Sequence, residues 1–168
     1  MTVGIIADLH DHTVNFAKFL TKTAQFDLDE LWIAGDLGTS ETMQAVEKQF
    51  SKHIRVVAGN VETGHTLVDY QMVANHSPHL TWSAQEPLSF FLDNRLIALF
   101  HFPRAAQAYA KRHQPTVVIA GHSHRPDLKK IGETWYINPG TLAGIFTPAT
   151  YVLADLTRLT FTLNRLYE

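Results

Sequence analysis

Two histidines one residue apart, His122 and His124, end the run VVIAGHSH at residues 117–124. Val117 to Ala120 are apolar and rich in β-branched residues, the pattern of a buried strand. Side chains on an extended chain alternate faces with a period of two. An extended continuation would therefore turn both imidazoles the same way, just past the strand. Imidazole is the commonest nitrogen ligand, and two side by side suit a metal ion. The bland alternative is two polar loop residues that happen to be histidine.

The same kind of ending recurs along the chain. GIIADLH ends in Asp8 and His10, LWIAGD in Asp36, IRVVAGN in Asn60 and LIALFH in His101. In open α/β sheets, ligands gather outside the carboxyl ends of the strands, so these residues would converge despite their separation in sequence. Taken singly, Asp8, Asp36 or Asn60 could cap a following helix, and His101 could be a satisfied core histidine. Taken together they favour a shared site, because Asp8 and His10 repeat the alternate spacing of His122 and His124. Seven donors are too many for one ion, whereas two ions sharing a bridging carboxylate would use them. Mixed nitrogen and oxygen donors suit manganese, iron, zinc, cobalt or nickel better than calcium or magnesium. Manganese is taken first in that set.

Such residues need strands that end at one rim and helices that bring the chain back. Val3 to Ala7, Leu31 to Ala34 and Ile54 to Ala58 read as strands. Residues 13 to 25 carry Val14, Phe16, Ala17 and Leu20 as a helical stripe. Residues 40 to 51 predict a helix with Ser40 as N-cap and Glu41 in the first turn, where the dipole favours an acid. Later, LSFFL and RLIALF flank Asp93-Asn94, a hairpin signal. RAAQAYAKRH is a short basic helix. DLKKI and TWYI flank Gly132-Glu133, and TYVLADL with LTFTLNRLY predicts a last hairpin. Alternation early and hairpins late point to two sheets packed face to face with helices outside.

Composition narrows the function classes. The length predicts one domain over residues 1–168, and 45% hydrophobic residues are enough for a sizeable core. A formal net charge of −2 gives no bulk attraction to nucleic acid or a membrane surface. Cysteine is absent, which removes disulfides, thiolate metal sites and cysteine nucleophiles, and fits the cytoplasm. No run approaches the roughly 18 apolar residues of a membrane helix, and nothing before the first strand reads as a secretory signal.

The set D-x-H, G-D, G-N, H and G-H-x-H, in this order from about residue 3 to residue 142, resembles the calcineurin-like metallophosphoesterase superfamily. Within it, the short, capless bacterial and archaeal phosphodiesterases look most similar. INPGT at 137–141 resembles the N-P-G-S/T turn those proteins carry after the last histidine. The resemblance implies a four-layer αββα sandwich of two mixed β-sheets flanked by helices. It implies that Asp8, His10 and His124 hold one metal ion, that Asn60, His101 and His122 hold a second, and that Asp36 bridges them. The implied activity is hydrolysis of a small phosphoester, a phosphodiester first, by in-line attack of a hydroxide shared by two divalent cations. Asp36 and Asn60 would carry catalysis by holding metal and positioning phosphate, with no general acid assigned.

Two departures from the family pattern bear on substrate. Many members carry a histidine or acid just after G-N, a proton donor to the leaving group. Val61 stands there, which predicts substrates with good leaving groups. Relatives often read H-G-H at the fourth motif, where this chain has His101, Phe102 and Pro103. Phe102 could stack on a substrate base or ring, or could be a packed or lid aromatic. His12 could reach substrate, or simply stand exposed where the helix begins. His53, His65, His76, His79 and His113 read as surface side chains. Arg125 reads as solvated, and Arg104, Lys111, Arg112 and His113 as a solvated basic face. The rival reading is a non-catalytic metal-binding scaffold for protein partners, because a subunit of the retromer coat uses this fold that way. That relative departs from the pattern at G-D, where this chain keeps Asp36. Nucleic acid is not supported as a partner. A homo-oligomer would cover the sheet edges that the late hairpins leave.

Overall fold

In the computed structural model, which describes residues 1–167, the early apolar runs pair in parallel as β1 (Thr2–Ile6), β2 (Glu30–Ala34) and β3 (His53–Val57). Helices α1 (Thr13–Thr23), α2 (Ser40–Gln49) and α3 (His65–Asn75) connect them onward to a parallel β4 (Leu80–Ser83). The second half supplies β5 (Leu88–Leu92), β6 (Arg95–Leu99), α4 (Pro103–His113), β7 (Val117–Ile119), β8 (Asp127–Ile131) and β9 (Thr134–Asn138). The chain finishes with β10 (Thr150–Asp155) and β11 (Thr160–Arg165). One sheet has the order β11-β10-β1-β2-β3-β4, and the other β5-β6-β7-β9-β8. Both are mixed: β10 runs antiparallel to β1, while β6, β7 and β9 run parallel.

Alternation along the strands builds three apolar layers. Val3, Ile5, Ala7, Trp32, Ala34 and Val57 face Ile97, Leu99, Val117, Ile119 and Ile137 between the sheets. Their neighbours Ile6, Leu31, Ile33, Ile54 and Val56 turn outward onto Phe16 and Phe19 of α1, Met43 and Val46 of α2, and Tyr70 of α3. On the far side, Ala98, Val118 and Tyr136 meet Ala106 and Ala110 of α4. Helices on both outer faces of two packed sheets make the expected αββα sandwich.

The Asp93-Asn94 hairpin forms with φ 48° and 61° at its two central residues, as the tight turn requires. Three local expectations fail. The first helix buries Phe16 and Phe19, while Val14 is 77% exposed, so the stripe lies round the other side of Val14. The N-cap of α2 is Thr39 rather than Ser40, and no side chain of its own caps it. Instead the Asp11 carboxylate, from the loop after β1, accepts the Thr39 N–H and the hydroxyls of Thr39 and Thr42. Helix α3 had no stripe to announce it: Val68 and Met72 stay exposed and Tyr70 is its one buried residue. His65, His76 and His113 are exposed as expected, but His53 and His79 are half-buried, hydrogen-bonded to Thr81 and Ser77.

Candidate metal centre

The parallel strands of both sheets end at one rim. Asp8 and His10 follow β1, Asp36 follows β2, Asn60 follows β3, His101 follows β6, and His122 and His124 follow β7. Backbone bonds tie these ends together: the Asp8 N–H donates to Gly35 O at 3.0 Å and the His10 N–H to Asp36 O at 3.0 Å. The Asp8 carboxylate accepts the His122 N–H, which spans the two sheets. The Asp36 carboxylate accepts the Val61 N–H at 3.0 Å.

Two groups of donors result. Asp8, His10 and His124 form one, and Asp36, His101 and His122 the other, with the donor atoms of each within 4.8 Å of one another. His10 Nε2 and His124 Nε2 are 3.2 Å apart, and His124 Nε2 is 3.4 Å from Asp8 Oδ1. Asn60 Oδ1 joins the second group, 2.9 Å from His101 Nε2 and 2.8 Å from His122 Nδ1. Asp36 lies between the groups, its Oδ2 3.7 Å from His10 Nε2 and its Oδ1 3.4 Å from His101 Nε2. All seven expected donors therefore meet. The neighbours His12 and Arg125 are exposed, and Phe102 sets its ring against His101 and His122. A cleft of about 450 Å³ between α2 and α3, lined by Gln44, Lys48, Met72 and His76 among others, contains none of the seven.

The donor set fits cations better than protons. His101 Nδ1 donates to Ala34 O at 3.0 Å and His124 Nδ1 to Ile145 O at 3.1 Å. In a neutral ring each Nε2 is then a bare lone pair, the arrangement in which a carbonyl fixes a ligand's tautomer. His101 thus aims a lone pair at the Asn60 oxygen, and His124 aims one at a carboxylate and another imidazole. Protonating the rings would relieve this, but burial holds His101 and His10 below the usual histidine range. Burial and then the Asp36 charge push Asp8 up to about 8. Imidazoles held unprotonated beside a carboxylate whose negative charge is disfavoured leave the cluster short of positive charge, and mixed nitrogen and oxygen donors suit divalent transition metals.

The backbone that aims these groups is unusual. Asp8, His10, Asp36, His122 and His124 all have φ between 45° and 64°. The chain after β7 is thus not extended, and His122 and His124 enter different groups instead of pointing one way. Such conformations cost of order 1–3 kcal/mol each outside glycine and persist where surroundings over-determine them. Gly35, at φ 83°, lies against the His101 ring, where any Cβ would collide with Nδ1. Gly59 likewise leaves room for the Asp36 carboxylate.

Two supporting residues escaped the reading of the sequence. Glu62 is 3% exposed, and its carboxylate accepts the N–H groups of Asp36 (3.1 Å), Gly59 (2.6 Å) and Gly38 (2.8 Å). It fastens the loop that carries Asp36 to the loop that carries Asn60. Its signal was present: an acid three residues beyond Gly59 can fold back onto that amide. Asn138, in INPGT, donates to Gly121 O at 2.8 Å and Ser123 Oγ at 3.1 Å and accepts the Gly140 N–H. It braces the loop between His122 and His124.

A layered α/β sandwich with two aspartate–histidine clusters at its strand rim defines a protein built on a metallophosphoesterase fold. The chain belongs to the calcineurin-like phosphoesterase superfamily, whose domain model matches residues 1–158. Among solved structures it is similar to an archaeal phosphodiesterase, with 20% identity, 98% of this chain and 99% of that one covered, and a TM-score of 0.87. It is also similar to YfcE, a phosphoesterase from E. coli, with 20% identity, 99% and 100% coverage and a TM-score of 0.68. Zinc-complexed Vps29 from Entamoeba histolytica aligns with 17% identity, 98% coverage of both chains and a TM-score of 0.60. At these identities the likeness concerns the fold. No curated protein matches the chain.

Proposed function

We propose that this protein is a dinuclear metal-dependent phosphoesterase acting on phosphodiesters. In this reading Asp8, His10 and His124 hold one divalent transition-metal ion, Asn60, His101 and His122 hold the other, and Asp36 bridges them. The observation that carries the proposal is the meeting of seven donors from five strand ends, with the Nε2 lone pairs of His101 and His124 turned into the cluster by their Nδ1 bonds to backbone carbonyls. When bound, two such cations supply a water of lowered pKa and a positive clamp for phosphoryl oxygens. The chain's own residues set the geometry. Ala34 O and Ile145 O fix the tautomers of His101 and His124, and Glu62 holds the Asp36 and Asn60 loops. Asp8 and Asp36 bring two carboxylates, which two divalent cations would leave with charge to spare for an anionic substrate. Val61 follows Asn60 and cannot donate a proton, which favours substrates whose leaving group departs as a stable anion. Manganese is the first metal to try.

The archaeal phosphodiesterase and YfcE, as proteins of this shape, support the reading. Vps29, also of this shape, gives the second reading, a metal-binding scaffold for protein partners. The retained Asp36, between both donor groups, favours the enzyme. We place the protein in the cytoplasm as one domain on composition and length. A second copy, if one pairs, would meet the exposed edge strands β5 or β11, where Phe91 and Leu163 stand in solvent.

The test is to measure the metal content of purified protein and its hydrolysis of bis-p-nitrophenyl phosphate with manganese, iron, zinc, cobalt or nickel. About two ions per chain with turnover is the expected result. Two ions with no hydrolysis of any phosphoester would move the assignment to the scaffold.

A further inference from the structure

Two phenylalanine rings flank the donor groups, one beside each. Phe146 is 93% exposed, and its ring centroid lies 5.6 Å from that of His124. Phe102 is 40% exposed, with its ring 5.0 Å from His101 and 4.9 Å from His122. Single exposed apolar residues are ordinary on protein surfaces. These two differ in how firmly their backbones are held.

Phe146 has φ 65°, a left-handed conformation that a bulky residue seldom adopts. Neighbours on both sides of it are bonded to one metal-ligand candidate: Ile145 O accepts from His124 Nδ1, and Thr147 Oγ1 donates to His124 O. The loop is fastened again at Ala143, whose N–H donates to Asp8 O at 3.1 Å. Phe102 is held similarly. Its N–H and that of His101 donate to the same Glu86 oxygen, at 3.0 and 2.8 Å. Neither ring fills the core. Each is an apolar ring presented to solvent on a fastened stretch of backbone, beside a different donor group.

We propose that Phe102 and Phe146 are substrate-recognition plates that select phosphodiesters whose ester arms carry planar rings, nucleobases being the biological rings of this kind. The inference rests on the phosphodiesterase reading above. A phosphate seated between the donor groups would send its two ester arms outward, and each end of the centre offers one ring to stack on. Stacking on an exposed, preorganised aromatic is tolerant of ring identity, because every base has a π-face. A monoester has one arm and would use one plate.

The test uses full-length protein loaded with manganese and three diesters that share a p-nitrophenolate leaving group. Their second arms are methyl, phenyl and thymidine-5′-yl. The expected kcat/KM for the phenyl and thymidine esters exceeds that for the methyl ester about tenfold, the size of one good stack. Phe146→Ala or Phe102→Ala should bring the ratio toward one, Phe→Leu should not restore it, and Phe→Trp should. Metal content should stay at the wild-type value in each variant. A parallel calorimetric titration compares phenylphosphonate with methylphosphonate, and needs no turnover. The phenyl compound should bind about tenfold tighter to wild type and lose that advantage when Phe102 and Phe146 are both replaced by alanine.

Equal kcat/KM for ring and methyl esters, or ratios that survive both alanine substitutions, would overturn the plates while leaving the phosphodiesterase intact. Absence of all hydrolysis would overturn the phosphodiesterase, and the phosphonate pair would then decide the plates alone. Equal phosphonate affinities in wild type would reject ring recognition and leave the exposed rings to a protein partner.

Discussion

Glu62 should matter more to this protein than its place in a surface-connected loop suggests. Its two carboxylate oxygens accept three backbone N–H groups, from Asp36, Gly59 and Gly38, in a setting that is 3% exposed. The Tyr70 hydroxyl, which donates to Gly38 O at 2.9 Å, packs beside it. In Glu62→Ala all three donors lose their partner. Each buried, unpaired N–H costs about 1–3 kcal/mol, and water admitted to the vacated space recovers part of that. We expect a net loss of about 3 kcal/mol, which for a chain of this size lowers the melting temperature by about 10 °C. Glu62→Gln separates packing from hydrogen bonding. Its one oxygen can serve the Asp36 and Gly59 amides, which places its NH2 against the Gly38 N–H. Burial has already pushed Glu62 above the usual carboxylate range, and the Asp36 charge adds to that. Neutralising it therefore returns some energy, and the net loss should be about 1 kcal/mol. Urea unfolding of the metal-free proteins reads these losses. Manganese titration of the Ala variant, at a temperature where it stays folded, reads the second effect, since there the Asp36 and Asn60 loops lose their common anchor. Disturbing a partner that orients a ligand typically lowers cation affinity about 10- to 100-fold. An Ala variant within about 1 kcal/mol of wild type, with unchanged manganese affinity, would refute the anchoring role; either margin is well inside the usual cost of an orphaned buried donor.

Other outcomes follow from the same geometry. Asp36→Asn and Asp36→Ala should lower turnover of bis-p-nitrophenyl phosphate by about 10³-fold. The metal-free fold should survive, because only the Val61 N–H relies on that carboxylate and its charge opposes that of Asp8; retained turnover would reject the bridging role. In EDTA, stability should fall as pH rises. Asp8 titrates at about 8 in the folded protein against 3.8 ordinarily, so its protonated form favours folding at low pH and that contribution is lost as pH rises through about 8. Below the usual histidine range, His10 and His101, both held down, act in the opposite sense, so the fall should be read by melting from pH 7 to 8.5. Divalent cations should abolish it, and a flat metal-free profile would contradict the charge assignment. Val61→His should raise the rate on diesters with poor leaving groups about tenfold or more relative to p-nitrophenyl esters, since a positioned acid can assist departure. An unchanged ratio would show that position 61 does not face the leaving group.

Much of the layering could be read from the chain because burial and period agree there. Val3, Ile5 and Ala7 alternate with Gly4 and Ile6, and Ile97 and Leu99 with Ala98, so each strand announced both of its faces. Helix α3 could not be read, since Val68 and Met72 stay in solvent and Tyr70 alone is buried. Asp11 looked like one more polar residue after His10. Its carboxyl feels some burial, yet hydrogen bonds from Thr42 and Thr39 outweigh that and hold it below the usual range. It caps a helix that begins 29 residues later, and no local pattern encodes a cap supplied from another loop. Glu62 was hidden for a related reason: two of the three amides it accepts belong to a different strand end.

The donors themselves divide the same way. That a histidine or aspartate ends an apolar run says that it reaches the rim, because the strand delivers it there. It does not say which partners it meets. An extended chain would turn His122 and His124 toward one ion, as the alternate spacing implies. Left-handed conformations at both residues instead send His122 to His101 and Asn60, and His124 to Asp8 and His10. Asp8 and His10, also left-handed, stay together in one group. Two pairs with identical spacing thus do different things, and the difference is made by bonds from outside each pair. Asn138 braces the turn between His122 and His124, while the Asp8 and His10 amides rest on Gly35 O and Asp36 O. Spacing selects the donors, and the braces behind them decide how they are shared between two sites.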